Sequence, residues 1–151
     1  MDIDALDRRI LQALTDNGRT KWADLATACG VSSPAIADRV RRLEKRGVIQ
    51  GYTALLSPEA LGQSLMALIF VTLEHPKHRQ TFLDFVQANP AIQECHHITG
   101  EGDYLLKVRC SGTAQLEHIL SDGIKGLPGI QQTRTSIALS TVKETPNLPI
   151  T

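Results

Sequence analysis

Residues 21–47 read KWADLATACGVSSPAIADRVRRLEKRG, and this stretch decides how the N-terminal third of the chain folds. Apolar residues recur every three to four positions on both sides of Gly30, which predicts two short helices joined by a tight turn. Ser32 or Ser33 can cap the second helix, and Pro34 suits its first turn. The predicted buried faces are Trp22, Leu25, Ala26 and Cys29 on the first helix, and Ile36, Val40 and Leu43 on the second.

The second of these helices has a basic outer face. Residues 39–46 carry five positive charges against the single Glu44. An isolated charge run is usually only solvated, but here the turn, the cap and the spacing coincide with it. In a helix-turn-helix the second helix lies in the major groove, where its first residues meet base edges and flanking Arg and Lys side chains hold phosphates. The sequence therefore predicts a DNA interface.

The predicted interface divides into three groups. Bases are expected to be read by Ser32, Ser33, Pro34, Ala35 and Asp38. The DNA backbone or a guanine edge is expected to meet Arg39, Arg41, Arg42 and Lys45. Lys21 and Trp22, at the start of the first helix, complete the set. Packing is nevertheless the favoured role of the Trp22 and Tyr52 rings, because no aromatic residue alternates with the basic run.

Further elements flank this motif. Asp2 and Asp4 can cap an earlier helix whose predicted apolar face is Leu6, Ile10, Leu11 and Leu14, and residues 16–18 end it. Residues 48–56 are rich in β-formers and predict a short hairpin or a strand leading onward.

Charge and composition limit the function classes. The 151 residues predict one domain or two small ones, and 16 basic residues are balanced by 16 acidic ones. Bulk charge therefore cannot drive DNA binding. A single monomer is expected to bind DNA weakly, and useful affinity is expected only when an oligomer holds several such helices together. The apolar run Leu65–Leu73 is too short for a membrane span, and the acidic start is unlike a secretory signal. We expect a soluble, cytoplasmic protein that does not bind membranes, with Cys29, Cys95 and Cys110 reduced.

The rest of the chain alternates between strand and helix. Strands are predicted at 65–73, 92–99, 104–110 and 131–142, and helices at 79–87 and 116–124. The order β-α-β-β-α-β predicts an α+β, ferredoxin-like domain in which two helices cover one face of an antiparallel sheet. The other face stays open, and its simplest cover is a second copy of the chain.

Three stretches resemble the Lrp/AsnC (feast/famine) family of transcriptional regulators. They are DALDRRILQALTDNGRTKWADLATACGVSSPAIADRVRRLEKRGVIQGYTALLSP, IQECHHITGEGDYLLKVRC and LPGIQQTRTSIAL, and the likeness extends over residues 2–144. The resemblance implies a winged helix-turn-helix at 1–50, a linker strand and hinge at 51–63, a ferredoxin-like effector and dimerisation domain at 64–144, and a tail at 145–151. It also implies dimers that assemble into octamers or open helices, and amino acids bound between dimers that change assembly and DNA affinity.

The loop of residues 99–104, TGEGDY, is the candidate effector site. Backbone N–H groups of a glycine-rich turn can hold a carboxylate and a nearby acid can hold an ammonium group, although an ordinary turn between strands has the same pattern. By resemblance, the effector is a small amino acid such as leucine or methionine. Its candidate ligands are Gly100, Glu101, Gly102, Asp103, Tyr104, Thr135, Ser136 and Ile137.

Other functions are less favoured. A metal site could be suggested by Cys95, His96 and His97 together with His75 and His78. Neighbouring strand residues point to opposite faces, however, and His75 and His78 flank Pro76 in a turn, so no metal or other cofactor is predicted. No catalytic group at a recognisable spacing is found, which argues against an enzyme. Two alternatives stay open: an effector-independent architectural DNA-binding protein, and a small-molecule-binding ferredoxin-like domain that does not bind DNA.

Overall fold

Three helices form the N-terminal part of the computed structural model, which describes residues 3–150. They are α1 (Ala5–Asp16), α2 (Trp22–Cys29) and α3 (Ser33–Lys45). Asp4 caps α1 as predicted, whereas the other predicted cap, Asp2, lies outside the described residues. The helices enclose a shared core of Ile10, Leu25, Ala26, Ile36, Val40 and Leu43. The predicted apolar faces therefore meet in one cluster.

Two aromatic side chains differ from the packing role predicted for them. Trp22 is 44% exposed and Tyr52 is 55% exposed. Trp22 occupies the first position of α2, one turn before the buried residues Leu25 and Ala26, so its ring extends beyond the core. The Tyr52 hydroxyl instead donates a hydrogen bond to Oε1 of Glu44 at 2.9 Å.

The predicted hairpin or strand at residues 48–56 does not form. Gly47 adopts a left-handed backbone, and the amides of Val48 and Ile49 donate to the carbonyl of Leu43, which ends α3. Beyond them, residues 50–57 contain no strand and pair with no strand of the described chain. The wing and linker strand that the resemblance implies are thus absent as regular elements from this part of the structure.

A four-stranded antiparallel sheet forms the second part. Its strands are β1 (Leu65–Leu73), β2 (Ile92–His97), β3 (Tyr104–Cys110) and β4 (Ile130–Ile137), in the spatial order β2-β3-β1-β4. β2 and β4 are therefore the edge strands. Helices α4 (Arg79–Ala88) and α5 (Thr113–His118) complete the predicted β-α-β-β-α-β order. The fold is α+β, with a helix-turn-helix domain followed by this ferredoxin-like domain.

Alternation along β1 separates the two faces of the sheet. Ala67, Ile69 and Val71 are fully buried beneath the helices, together with Phe82 of α4 and Leu106 of β3. The intervening side chains of β1 lie on the opposite face and are half-buried. This second face is the open face, and its apolar members include Leu68, Phe70 and Leu105.

Several predicted element ends are wrong. β4 stops at Ile137 rather than at residue 142. Ile137 pairs with Ala67 of β1, and one further bond, from the Ala138 amide to the Met66 carbonyl, follows before the pairing ends. β2 ends at His97, two residues early. The helix predicted from residue 116 starts at Thr113, and it widens into a π-helical turn at Ile119–Gly123 before a 3-10 turn at Ile124–Gly126.

The chain divides into two compact units. One contains the residues up to Leu55 together with those from Lys143 onward, and the other contains Leu56–Val142. The finer division into a linker at 51–63 and a tail at 145–151 stays a prediction. Among residues 3–150, no helix is long and apolar enough to cross a membrane.

Candidate DNA interface and effector site

The turn between α2 and α3 is built from local hydrogen bonds. Gly30 has φ 70°, a left-handed conformation that glycine adopts without steric cost, and the amide of Val31 donates to the carbonyl of Ala26 at 3.1 Å. The Ser32 hydroxyl then accepts from the amide of Ala35 at 3.4 Å and caps α3. These contacts fix the start of α3, where side chains would approach bases.

Most of the predicted interface lies on the outer surface of α3. The exposed members are Ser32, Pro34, Ala35, Asp38, Arg41, Arg42 and Lys45, while Ser33 is half-buried. Lys21 and Trp22 are also exposed, at the start of α2. Arg42 Nη2 lies 3.0 Å from Asp38 Oδ2, one helical turn away, and both side chains are more than half exposed. Such a surface pair is weak, so the Arg42 guanidinium can exchange it for a phosphate.

Arg39 does not share this outer surface, which corrects the prediction that its side chain lies outside. Its side chain is only 29% exposed and forms ion pairs with Asp4 and Asp7 near the start of α1. The sequence pattern predicts Arg39 among the charges that face DNA. In the fold, two carboxylates already neutralise it.

The effector loop is fastened to the end of β1. The Asp103 amide donates to the carbonyl of Val71 at 2.9 Å, and Oδ2 of Asp103 accepts from the amide of Leu73 at 2.7 Å. Gly102 has φ 87°, and a Cβ atom there would lie 3.2 Å from the Val71 carbonyl oxygen. Glycine is therefore required by the close approach of the loop to β1. Asp103, one of the two acids in the predicted ligand set, thus uses one carboxylate oxygen to hold the loop against β1.

Beside this loop, a cavity of about 220 Å³ opens on the open face of the sheet. Arg134 of β4 crosses it, forming an ion pair with Glu101 while its guanidinium carbon lies 4.7 Å from the centre of the Phe70 ring. The lining residues are Phe70, Thr72, Glu101, Gly102, Gln132 and Arg134. Phe70, Thr72, Gln132 and Arg134 are not among the ligands predicted from the sequence, because only the pairing of Phe70 with Arg134 and of Thr72 with Gln132 brings β1 and β4 together here.

The remaining candidate ligands point elsewhere. Tyr104 is buried in the core, where its ring packs against Phe82 at 4.9 Å between centroids. Thr135 and Ile137 pair with Ile69 and Ala67, on the helix-covered face. Ser136 lies on the open face, opposite Leu68. Gly100 and Asp103 belong to the loop without lining the cavity. The eight predicted residues therefore do not converge on one pocket.

The two adjacent histidines of β2 diverge. His96 lies 3.1 Å from Glu94 on the open face, and His97 stacks on Tyr104 at 5.0 Å between ring centroids. Lys107 also reaches Glu94 at 2.9 Å, and the hydrogen bonds from Lys107 and then His96 hold the pKa of Glu94 below its usual value. Glu94 is thus a charged link between β2 and β3.

Two parts of this chain match known domain families. Residues 3–50 match a winged helix-turn-helix DNA-binding domain. Residues 66–148 match the Lrp/AsnC ligand binding domain. The first match contains α1 to α3, and the second contains the sheet and the cavity beside the effector loop.

Proteins with the same architecture match over nearly the whole chain. The leucine-responsive regulatory protein of Klebsiella pneumoniae is 40% identical over 99% of this chain and 92% of its own length. The structure of Escherichia coli AsnC is similar with a TM-score of 0.92 at 33% identity, over 99% of this chain and 100% of that chain. The structure of a Neisseria meningitidis transcriptional regulator in complex with L-methionine is similar with a TM-score of 0.93 at 32% identity, over 98% of this chain and 97% of that chain.

Proposed function

The chain belongs to the Lrp/AsnC family of DNA-binding transcriptional regulators, and from this membership we propose that α3 enters the major groove of operator DNA. It is a regulator and not an enzyme. The observation that carries the proposal is the basic outer surface of α3 behind a tightly fixed turn. In the proposal Ser32, Ser33, Pro34, Ala35 and Asp38 approach bases, and Arg41, Arg42, Lys45, Lys21 and Trp22 approach the backbone. A DNA partner also supports the expected cytoplasmic location.

Arg41→Ala is expected to weaken DNA binding about tenfold or more and to flatten its salt dependence. Each lost phosphate contact reduces the steepness of log K against log salt by about 0.9. A dimer that loses both Arg41 side chains should therefore show a slope that is less steep by about 1.8. Mobility-shift titrations at several salt concentrations measure both quantities. Arg79→Ala, which removes an exposed arginine from α4, is the matched control and should change neither. An unchanged slope for Arg41→Ala would contradict the proposed interface.

The open sheet face supports self-association. Leu68, Phe70 and Leu105 place apolar side chains there, which suits a second copy of the chain. A dimer would hold two copies of α3 about one DNA turn apart, roughly 34 Å, on a pseudo-palindromic site. As the family resemblance implies, four dimers would form an octamer.

The cavity beside the effector loop suits a free amino acid. Arg134 offers a guanidinium to the α-carboxylate and Glu101 offers a carboxylate to the ammonium group. The bound L-methionine of the Neisseria relative supports an effector of the leucine or methionine type. At about 220 Å³ the cavity is smaller than the roughly 300 Å³ from which ligand pockets usually start, which favours a site completed by another dimer. The ligand would then shift assembly by its difference in affinity between states.

Arg134→Ala is expected to weaken binding of leucine or methionine at least tenfold, because the charge-assisted bond to the carboxylate is lost. Calorimetric titration with a panel of amino acids measures it. Gln131→Ala, an exposed position of β4 outside the cavity lining, is the control and should bind as the unsubstituted protein does. If no amino acid bound the unsubstituted protein, the effector-independent architectural regulator would replace this proposal.

A further inference from the structure

Arg39 closes a ring of hydrogen bonds with the two acids at the start of α1. Asp4 Oδ1 accepts from the amide of Asp7 at 2.8 Å, and Asp7 Oδ2 accepts from the amide of Asp4 at 3.4 Å. These two bonds are the capping box of α1. The remaining oxygens, Asp4 Oδ2 and Asp7 Oδ1, both accept from Nη1 of Arg39, the latter at 3.0 Å. Each carboxylate thus divides its oxygens between the helix cap and Arg39.

The charged groups of this ring stabilise one another. The Asp7 side chain is only 7% exposed, and a buried carboxylate is costly unless it is paired and hydrogen-bonded. Hydrogen bonds from the Asp7 amide and then from Arg39 hold the pKa of Asp4 below its usual value, while Asp4 and then Asp7 raise that of Arg39. Asp4 and Arg39 are therefore both charged at neutral pH, and the Arg39 guanidinium lies against both carboxylates of the ring.

The ring joins two helices that are far apart in sequence. Arg39 lies midway along α3, 32 residues from Asp7 and 35 from Asp4. Both helices also contribute to the shared core, but apolar packing is non-directional and leaves small rotations cheap. A hydrogen-bonded ion pair constrains direction as well as distance. The orientation of α3 relative to α1 is thereby fixed close to the DNA-facing positions 38, 41 and 42.

We propose that Arg39 is a positioning residue that fastens α3 to the start of α1 and makes no contact with DNA phosphates, a role that rests on the proposed function of α3. The positive charge available for DNA on this helix then comes from Arg41, Arg42 and Lys45. Arg39 contributes to DNA affinity only through the orientation of α3.

Asp7→Asn separates positioning from simple electrostatics. Removing a carboxylate makes the unit more positive, which by itself strengthens attraction to DNA. Asparagine retains an acceptor oxygen for the cap but loses the charge that holds Arg39. We expect binding about tenfold weaker, because the orientation of α3 is lost. Asp24→Asn, which removes an exposed acid in the first turn of α2, is the control and should bind at least as tightly as the unsubstituted protein.

Arg39→Ala and Arg39→Lys complete the test. Arg39→Ala should weaken DNA binding about tenfold but keep the salt slope of the unsubstituted protein, whereas Arg41→Ala should flatten that slope. Arg39→Lys should restore much of the affinity because it keeps the charge. A slope that falls as it does for Arg41→Ala, or tighter binding by Asp7→Asn, would overturn the proposal. If Arg39→Ala does not fold, Asp7→Asn and Arg39→Lys decide.

Unfolding distinguishes failure of this inference from failure of the proposed function. Trp22 is the only tryptophan and lies in the same unit, so its fluorescence follows unfolding of α1 to α3. Each of Arg39→Ala and Asp7→Asn should lower the midpoint by several degrees, and the double variant should lower it little further. If the unsubstituted protein bound no DNA, the proposed function would fail on its own. Additive shifts would overturn the link between the helices.

Discussion

Replacing Leu68 and Leu105 together by aspartate is expected to convert the assembled protein into monomers and to weaken DNA binding about a hundredfold or more. Both side chains lie on the open sheet face, on the neighbouring strands β1 and β3. Carboxylates buried without partners between two such faces carry a large desolvation cost. A monomer presents one α3 to the operator, and the loss of a linked second site typically lowers avidity by about 10²–10⁴-fold.

Light scattering and mobility shift on the same samples measure this prediction. The two leucines are half-buried in the single chain, so the variant is expected to keep its circular dichroism spectrum. Thr81→Asp, a new charge on the exposed side of α4, is the control and should leave mass and affinity unchanged. An unchanged mass for the double variant would show that copies associate elsewhere.

Phe82→Ala is expected to destabilise the sheet-containing unit by about 3–5 kcal/mol in free energy of unfolding. Phe82 is 1% exposed and packs against the Tyr104 ring, so the substitution leaves a cavity in the centre of that core. The core around α1 to α3 is a separate cluster that shares no residue with it. Only the melting of the sheet-containing unit should therefore shift, by roughly 10 °C or more.

Two probes separate the units in this experiment. Trp22 fluorescence follows the N-terminal unit, whereas the far-ultraviolet signal contains both. Leu139→Ala removes an equally apolar side chain that is fully exposed, and it should leave both transitions in place. Equal shifts of the two probes in Phe82→Ala would mean that the units unfold as one.

Local patterns were sufficient to predict most elements of the fold. Gly30 ends α2 through its left-handed backbone, Ser32 caps α3 with its hydroxyl, and the apolar run at residues 65–73 predicted β1. Element ends were less predictable because they depend on partners. β4 ends at Ile137, where its regular pairing with β1 stops at Ala67, and residues 48–56 have no strand partner within the described residues.

The candidate sites show the same division. Most of α3's outer surface followed from helical periodicity, but position 39 lies near the boundary of the buried face, and its direction is decided by two acids more than 30 residues earlier. The cavity beside the effector loop depends on the β1–β4 register, which places Phe70 opposite Arg134. Single-strand periodicity carries no information on register, so Phe70, Thr72, Gln132 and Arg134 could not be identified beforehand.

The strand order β2-β3-β1-β4 also bears on protection against aggregation. The most apolar segment, LMALIFVTL in β1, has the composition of a cross-β former, and it lies in the centre with both edges hydrogen-bonded. The outer strands, IQECHH and IQQTRTSI, carry charged, imidazole, amide and hydroxyl side chains that disfavour growth by strand addition. The open face of the sheet thus suits association with a partner, while the polar edge strands disfavour fibril formation.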